Sequence, residues 1–264
     1  MSPVPPFVVA IGGLDPSCGA GIVADARSIE AMGAMPLVVA TSLTVQSGSG
    51  VRGFTPVAAA QVLAQLDELL ANLPVAAVKI GQVPTAAVAE ALAKRLGEVG
   101  LTMVLDPVLR ASGGGDLADE AASLATLRLL LPLARLVTVN LDEASVFTGR
   151  RVQDLDAMAK AAEELAGHGA RAVLVKGGHL EGDPADLLRD GREVTVLRAD
   201  RIEGRVHGSG CALASAIAAR LARGDNLATA VAMARHHVRE LLAYAVVAGA
   251  ARLRPPVLWP ASEA

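Results

Sequence analysis

The sequence predicts an α/β protein: a mainly parallel central sheet, helices on both faces and a late β-hairpin. Three observations carry this. Short apolar runs alternate with longer stretches of helical periodicity along most of the 264 residues, and repeated strand–helix units stack into a parallel sheet covered on both sides. The composition is 52% apolar but only 2% aromatic, which suits Val-, Ala- and Leu-rich strands buried between helical layers. Late in the chain the alternation changes, and two strand-like segments flank Asp190-Gly191-Arg192, a hairpin on an Asp-Gly turn.

In chain order, residues 7–11 form an apolar strand ended by Gly12-Gly13. Turn residues follow, then a helix over 22–32 with Gly33 as its C-terminal cap. A strand over 36–41 leads to a polar loop over 45–50, and apolar spacing at Val62, Leu63, Leu66, Leu69 and Leu70 marks a helix over 57–70. Strands over 76–80 and 101–105 bracket a helix over 84–96 with Pro84 near its first position. A flexible loop, Ser112-Gly113-Gly114-Gly115, precedes a helix over 118–131. The strand over 136–139 ends at Asn140, the N-cap of the next helix. A helix over 155–168 and a strand over 172–175 follow. The hairpin spans 185–189 and 193–197, with one more strand over 202–206. Helices over 211–222 and 227–247 come next, and the tail from Arg252 is peripheral. No repeat, linker or boundary divides the chain, so one domain over 1–264 is expected.

Composition excludes several functions. The net charge is −3 with no basic block, which argues against nucleic acid. Cys18 and Cys211 make no disulfide framework and fit a reducing, cytoplasmic setting. The first residues lack the basic region of a signal peptide. No apolar run reads as a membrane span; the nearest, 31–45, is short and holds Gly33 and Pro36.

The chain is organised around Arg205-Val206-His207-Gly208-Ser209-Gly210-Cys211 and the Ala/Leu-rich helix after it. A glycine turn at a helix start aims free N–H groups and the positive end of the helix dipole at one spot, a site for phosphate or a developing anion. Cys211 falls in the first turn, where a thiolate is favoured. Taken alone, the same turn reads more readily as tight packing around a small buried cysteine. Other polar groups follow strands as well: Asp15, Gln46, Asp106 and Lys176. Ligands of such sheets bind beyond the carboxyl ends of the strands, so these loops converge on one rim.

Several stretches then combine. Gly12-Gly13-Leu14-Asp15-Pro16-Ser17-Cys18-Gly19-Ala20-Gly21, with Asp25 beyond it, is followed by Val78-Lys79-Ile80-Gly81 and Leu105-Asp106-Pro107-Val108. Asn140-Leu141-Asp142-Glu143, Val175-Lys176-Gly177-Gly178-His179 and His207-Gly208-Ser209-Gly210-Cys211 complete the series. In this order, over roughly residues 8 to 240, they resemble the hydroxymethylpyrimidine/phosphomethylpyrimidine kinases of thiamine biosynthesis, in the ribokinase-like superfamily.

The resemblance implies transfer of the ATP γ-phosphoryl group to the primary alcohol of 4-amino-5-hydroxymethyl-2-methylpyrimidine, and a second phosphorylation to the pyrophosphate. It implies Cys211 as the base and the backbone of Gly208, Ser209, Gly210 and Cys211 as the anion hole. Lys176 would neutralise the nucleotide phosphates. Asn140 and Glu143 would order Mg²⁺ and its waters, Glu143 as the metal residue, with Asp106 near the nucleotide. Gln46 would bind the aminopyrimidine edge, and Gly13, Asp25, Gln82 and Val108 would shape its pocket. A homodimer is implied too.

Plainer readings stand beside these. Asn140 and Glu143 fit a capping box whatever else they do. Asp25 is equally a solvated helix residue, Gln46 a turn residue, and Cys18 packs without chemistry. His236 and His237 are neighbours on a helix and point to different faces, so they share no metal. The sequence also departs from the family pattern. Ser209 and Ala212 replace threonines, Ser47 stands where Asn often follows the pyrimidine-binding Gln, and Gln82 stands where Met is usual. The loop from Arg110 to Gly115 lacks a lysine. Gln82 would then sit on the rim and broaden acceptor choice. The competing functions are a pyridoxal/pyridoxine kinase and a non-catalytic ligand-binding regulator of the same fold.

Overall fold

The computed structural model describes residues 4–47, 50–109, 117–203, 206–248 and 251–253. The chain begins with β1 (Phe7–Leu14), α1 (Gly21–Ala31), β2 (Met35–Ser47), β3 (Gly50–Pro56), α2 (Ala59–Asn72) and β4 (Val75–Ile80). It continues with α3 (Ala86–Val99), β5 (Thr102–Leu105), α4 (Glu120–Ala125), β6 (Leu136–Asn140), α5 (Leu141–Thr148) and α6 (Leu155–Gly167). Then come β7 (Ala172–Lys176), β8 (Ala185–Asp190), β9 (Glu193–Arg198), α7 (Ser209–Ala222) and α8 (Leu227–Ala243). A small ribbon of β10 (Val246–Ala248) and β11 (Ala251–Leu253) follows.

Nine strands form one sheet in the order β3-β2-β1-β4-β5-β6-β7-β8-β9. The strands from β2 through β7 in that order run parallel, and β3, β8 and β9 pair antiparallel at the edges. Alternation along β1 feeds two cores. Val8 and Ala10 pack with Ile29 of α1, Ile217 of α7 and Val231 of α8. Val9 and Ile11 pack with Leu66 of α2, Leu92 of α3 and Leu165 of α6. From β1 the chain moves to β2 on one side, and α2 returns it to β4 on the other. That reversal is a switch point, where the loops after β1 and β4 diverge and leave a crevice.

The helices start and stop as their sequences dictate. Thr85 caps α3 by accepting from Val88 N at 3.3 Å, and Gly100 ends it at φ 64°. Pro84 thus precedes the cap instead of opening the helix. The helix expected over 118–131 is α-helical only in α4, then widens over Thr126–Leu130 and tightens over Leu131–Leu133. Pro132 lacks the N–H that a regular last turn needs.

Three other expectations are corrected. The polar loop expected over 45–50 is the end of β2, which runs to Ser47 and pairs with β3. Its Ser/Gly-rich composition masks an alternation in which Thr44 is buried while Leu43 and Val45 face outward. In the late hairpin Asp190 pairs with Glu193, so the two turn residues are Gly191, at φ 60°, and Arg192. Among the described residues no strand lies within 202–206. Arg110, the glycine loop over 112–115, Arg205 and the tail beyond 253 lie outside the described residues.

Candidate active site

The anion turn lies at the N-terminus of α7. Gly208 holds φ 79° as its N-cap, and a Cβ there would meet Gly19 O at 2.1 Å, so only glycine fits. Ser209 N reaches Val206 O at 3.3 Å and Ala212 N reaches Gly208 O at 2.9 Å. The amides of Gly210 and Cys211 have no partner among the described residues. These two donors stand at the positive end of a 14-residue helix, where the sequence predicts an anion site.

The strand ends bring a row of charges to this turn. A Cβ on Gly210 would stand 3.5 Å from Lys176 Nζ, so the ammonium at the end of β7 lies against the turn. Lys176 Nζ donates to Asp106 Oδ1 at 2.8 Å and lies 3.8 Å from Glu143 Oε2. Thr138 Oγ1 donates to the same Asp106 oxygen at 2.7 Å. Burial alone would raise the Asp106 carboxyl, but the ammonium groups of Lys176 and Lys79 hold it below the usual range. Burial would likewise lower Lys176, and Asp106 and Glu143 keep it above its usual value. Glu143 is pushed up to about 7, chiefly by burial, with Lys176 opposing.

Asn140 and Glu143 form a full capping box. Glu143 N donates to Asn140 Oδ1 and Asn140 N donates to Glu143 Oε2, each at 2.8 Å. The cap fixes the Glu143 carboxylate beside Lys176. Among the described residues no three His, Cys, Asp or Glu side chains converge as a metal cage.

Behind the turn is a pair that sequence reasoning missed. Lys79 Nζ, on β4, donates to Asp25 Oδ2 of α1 at 2.9 Å, and Ser215 Oγ of α7 donates to Asp25 Oδ1 at 2.7 Å. Both charged side chains are sealed from solvent. Asp25 is therefore not a solvated helix residue: both its oxygens accept hydrogen bonds inside the protein. The signal was present, because a lysine within the apolar run Val75–Ile80 needs a buried partner. Ser215 lies one turn beyond Cys211, on the same face of α7, which puts the thiol next to this pair. Burial pushes the Cys211 thiol up to about 11, against the Lys79 ammonium and the Gly21 amide. This runs against the expectation of a favoured thiolate, because withdrawal from water outweighs the Lys79 ammonium and the Gly21 amide.

The acceptor side holds further corrections. Gln82 is buried, and both ends of its amide bond to protein. Oε1 accepts from Ser42 Oγ at 2.6 Å, and Nε2 donates to Leu117 O at 2.7 Å. It acts as an internal tie between β2 and the segment at Leu117. Gly13 makes room for that tie, since a Cβ there would fall 2.0 Å from Gln82 Oε1. Gln46 is a strand residue of β2, half-buried, in register with Val51 of β3 and beyond the last β1 pair, Leu14 with Leu43. Thr44, on the same side two residues earlier, donates to Leu14 O at 2.8 Å, so Gln46 continues that side over the rim. Val108 lines a narrow cleft with Gly81, Pro107 and Thr126. Cys18 is exposed at φ 57° and does not pack. His237 is buried and His236 exposed, on different faces as expected.

Residues 15–255 match the family model described as phosphomethylpyrimidine kinase. The chain is 43% identical over 242 residues to the hydroxymethylpyrimidine/phosphomethylpyrimidine kinase of Rhizobium meliloti, covering 90% of this chain and 91% of that one. To the enzyme of the same name from Streptomyces coelicolor it is 39% identical, covering 89% and 87%. Among solved structures, it is similar to the phosphomethylpyrimidine kinase of Clostridium difficile, with TM-score 0.79, 30% identity, and coverage of 89% and 98%. It is similar also to the pyridoxal kinase of Staphylococcus aureus in complex with pyridoxal, with TM-score 0.88, 27% identity, and coverage of 96% and 94%.

Proposed function

The chain belongs to the phosphomethylpyrimidine kinase family, and we propose from that membership and the rim geometry how its residues carry the reaction. It is an ATP-dependent kinase of thiamine biosynthesis that phosphorylates 4-amino-5-hydroxymethyl-2-methylpyrimidine and then the monophosphate. The observation that carries the site assignment is the pair of amides on Gly210 and Cys211, without partners among the described residues, with Lys176 against them.

The acceptor oxygen attacks the γ-phosphorus, the bond to the bridging oxygen breaks, and ADP leaves with the electron pair. The alcohol proton passes to the Cys211 sulfur in its thiolate form. Phosphoryl transfer depends on positioning and charge neutralisation. The Gly210 and Cys211 amides supply preorganised donors where charge moves, and Lys176 exchanges its carboxylate partners for nucleotide phosphate. Gln46 offers both a donor and an acceptor to the aminopyrimidine edge. Asp106 and Glu143 are the carboxylates that would hold Mg²⁺. When bound, the ion neutralises phosphate charge.

A homodimer completes the reading. Leu43 and Val45 stand 53% and 62% exposed on the outward face of β2, an apolar pair suited to a second copy. No helix among the described residues is long and apolar enough to cross a membrane. The cytoplasm, where unpaired Cys18 and Cys211 stay reduced, is the proposed location.

A coupled ADP-release assay with the hydroxymethylpyrimidine, its monophosphate and pyridoxal tests the function. Turnover of both pyrimidines is expected. Turnover of pyridoxal alone would replace the acceptor, and ligand binding without ADP release would point to a regulator.

A further inference from the structure

The anion turn is strapped to the loop between β1 and α1 by a contact spanning 192 residues of chain: Asp15 Oδ2 lies 2.9 Å from His207 Nε2. Asp15 is fully buried and the His207 side chain is 8% exposed. The same carboxylate organises its own loop. Oδ1 accepts from Ser17 N at 2.8 Å, and Oδ2 accepts from Ala20 N at 2.8 Å; Ser17 Oγ donates to both oxygens. These donors, His207 foremost, bring the Asp15 carboxyl down to about 2 although burial pushes it up.

Shape repeats the message. A Cβ on Gly19 would stand 2.4 Å from His207 Cδ2, and a Cβ on Gly208 would stand 2.1 Å from Gly19 O. The imidazole lies in the space a side chain at 19 would fill, and the Gly19 carbonyl occupies the space beside Gly208. The two loops therefore interlock by polar contact and by steric fit, directly before Gly210 and Cys211.

We infer that Asp15 and His207 are positioning residues for phosphoryl transfer, which hold the Gly208–Cys211 turn in its working geometry through the β1–α1 loop. Asp15 bonds Ser17, Ala20 and His207 through its carboxylate oxygens. It fixes the His207 imidazole, and His207 adjoins the residue whose left-handed backbone starts α7. A donor array must be set before the reaction to stabilise moving charge, and this strap is what sets it. The inference rests on the kinase reading for its rate predictions alone.

The test uses full-length Asp15→Asn, Gly19→Ala, His207→Gln and His207→Leu. Asp15→Asn and Gly19→Ala should lower kcat about a hundredfold, while acceptor KM stays within about threefold, since a displacement of about 1 Å is enough for such a loss. His207→Gln, which keeps a donor, should retain more kcat than His207→Leu. Amide exchange in the peptide covering 206–212 should quicken about tenfold in Asp15→Asn without substrate or nucleotide. Unchanged kcat and exchange would overturn the inference, as would equal losses in kcat and 1/KM or equal rates for the two His207 variants. If Asp15→Asn fails to fold, the His207 pair decides. If wild type phosphorylates none of the alcohols, the kinase reading falls, and the exchange measurement still decides whether the strap holds the turn.

Discussion

Lys79 Nζ and Asp25 Oδ2 meet at 2.9 Å with neither side chain more than 1% exposed. The pair joins β4 to α1, and Ser215 extends it to α7. Burial raises the Asp25 carboxyl while the Lys79 ammonium and Ser215 act against that. Breaking one side of a buried pair leaves the other charge uncompensated. Lys79→Met should therefore cost about 3–5 kcal/mol of stability. Adding Asp25→Asn should restore part of it, because both charges are then gone. Urea unfolding of the two singles and the double checks this through the coupling term. A strictly additive double variant would show that the contact carries no energy of its own.

The Cys211 thiol, pushed up to about 11 by burial, sets a pH dependence. A group raised this far is protonated at neutral pH, and its thiolate fraction grows about tenfold per pH unit below the pKa. Since kcat/KM reports the free enzyme, kcat/KM for the pyrimidine alcohol should climb from pH 7 to pH 10 in wild type. Cys211→Ser should lower it and flatten the climb. Alkylation gives a second measurement: at pH 8 iodoacetamide should label exposed Cys18 before Cys211. Peptide mass spectrometry after a time course reads the order. First labelling at Cys211, with a flat pH profile, would contradict the raised thiol.

Asp15 is shifted in the other direction, and its effect falls on stability at low pH. Its carboxyl is brought down to about 2 from 3.8. The native form then binds fewer protons than the unfolded chain between those values. Stability from this group is present above pH 3.8 and is lost as pH falls through about 2. The loss amounts to about 2 kcal/mol. Chemical denaturation of wild type and Asp15→Asn from pH 5 to pH 2 should converge toward acid. Parallel curves would assign the acid sensitivity to other carboxylates.

Gln82 ties Ser42 to Leu117 inside the protein. Gln82→Met should leave the Ser42 hydroxyl and the Leu117 carbonyl without their partner at a cost of about 1–3 kcal/mol. The ratios of kcat/KM among the hydroxymethylpyrimidine, its monophosphate and pyridoxal should be unchanged. A change in those ratios would return Gln82 to the specificity determinants.

Much of this layout was legible because it follows chain-local rules. Apolar runs ending in Gly12-Gly13, Gly81 and Asp106-Pro107 placed the parallel strands, and the strand ends placed Lys176 and the anion turn on one rim. The β2–β3 ribbon was missed because glycine and serine composition signals a loop, while antiparallel pairing at an edge tolerates both. The partners of Asp25, Gln82 and Asp15 were missed for another reason. Each lies 35 to 192 residues away in the chain, and no periodicity encodes such pairings. A polar residue in an apolar setting announces that it needs a partner, as Lys79 does, without saying which one.

The capping box makes Glu143 a test of cap against charge. Asn140 and Glu143 satisfy each other's backbone amides, which any helix start requires. Glu143 also brings a carboxylate to 3.8 Å from Lys176 in the site, which a cap alone does not require. The two roles separate by substitution. Asn140→Ala removes the acceptor for Glu143 N and should cost about 1 kcal/mol, read as a lower Tm. Glu143→Gln keeps an amide oxygen for Asn140 N, so the cap and Tm should persist. Removing the carboxylate should still lower kcat, and raise the Mg²⁺ concentration needed for half-maximal rate, if Glu143 serves the nucleotide. Titration of ADP release against Mg²⁺ at saturating substrates reads this directly. Equal Mg²⁺ curves for Glu143→Gln and wild type, with Tm unchanged, would leave Glu143 a helix cap and nothing more.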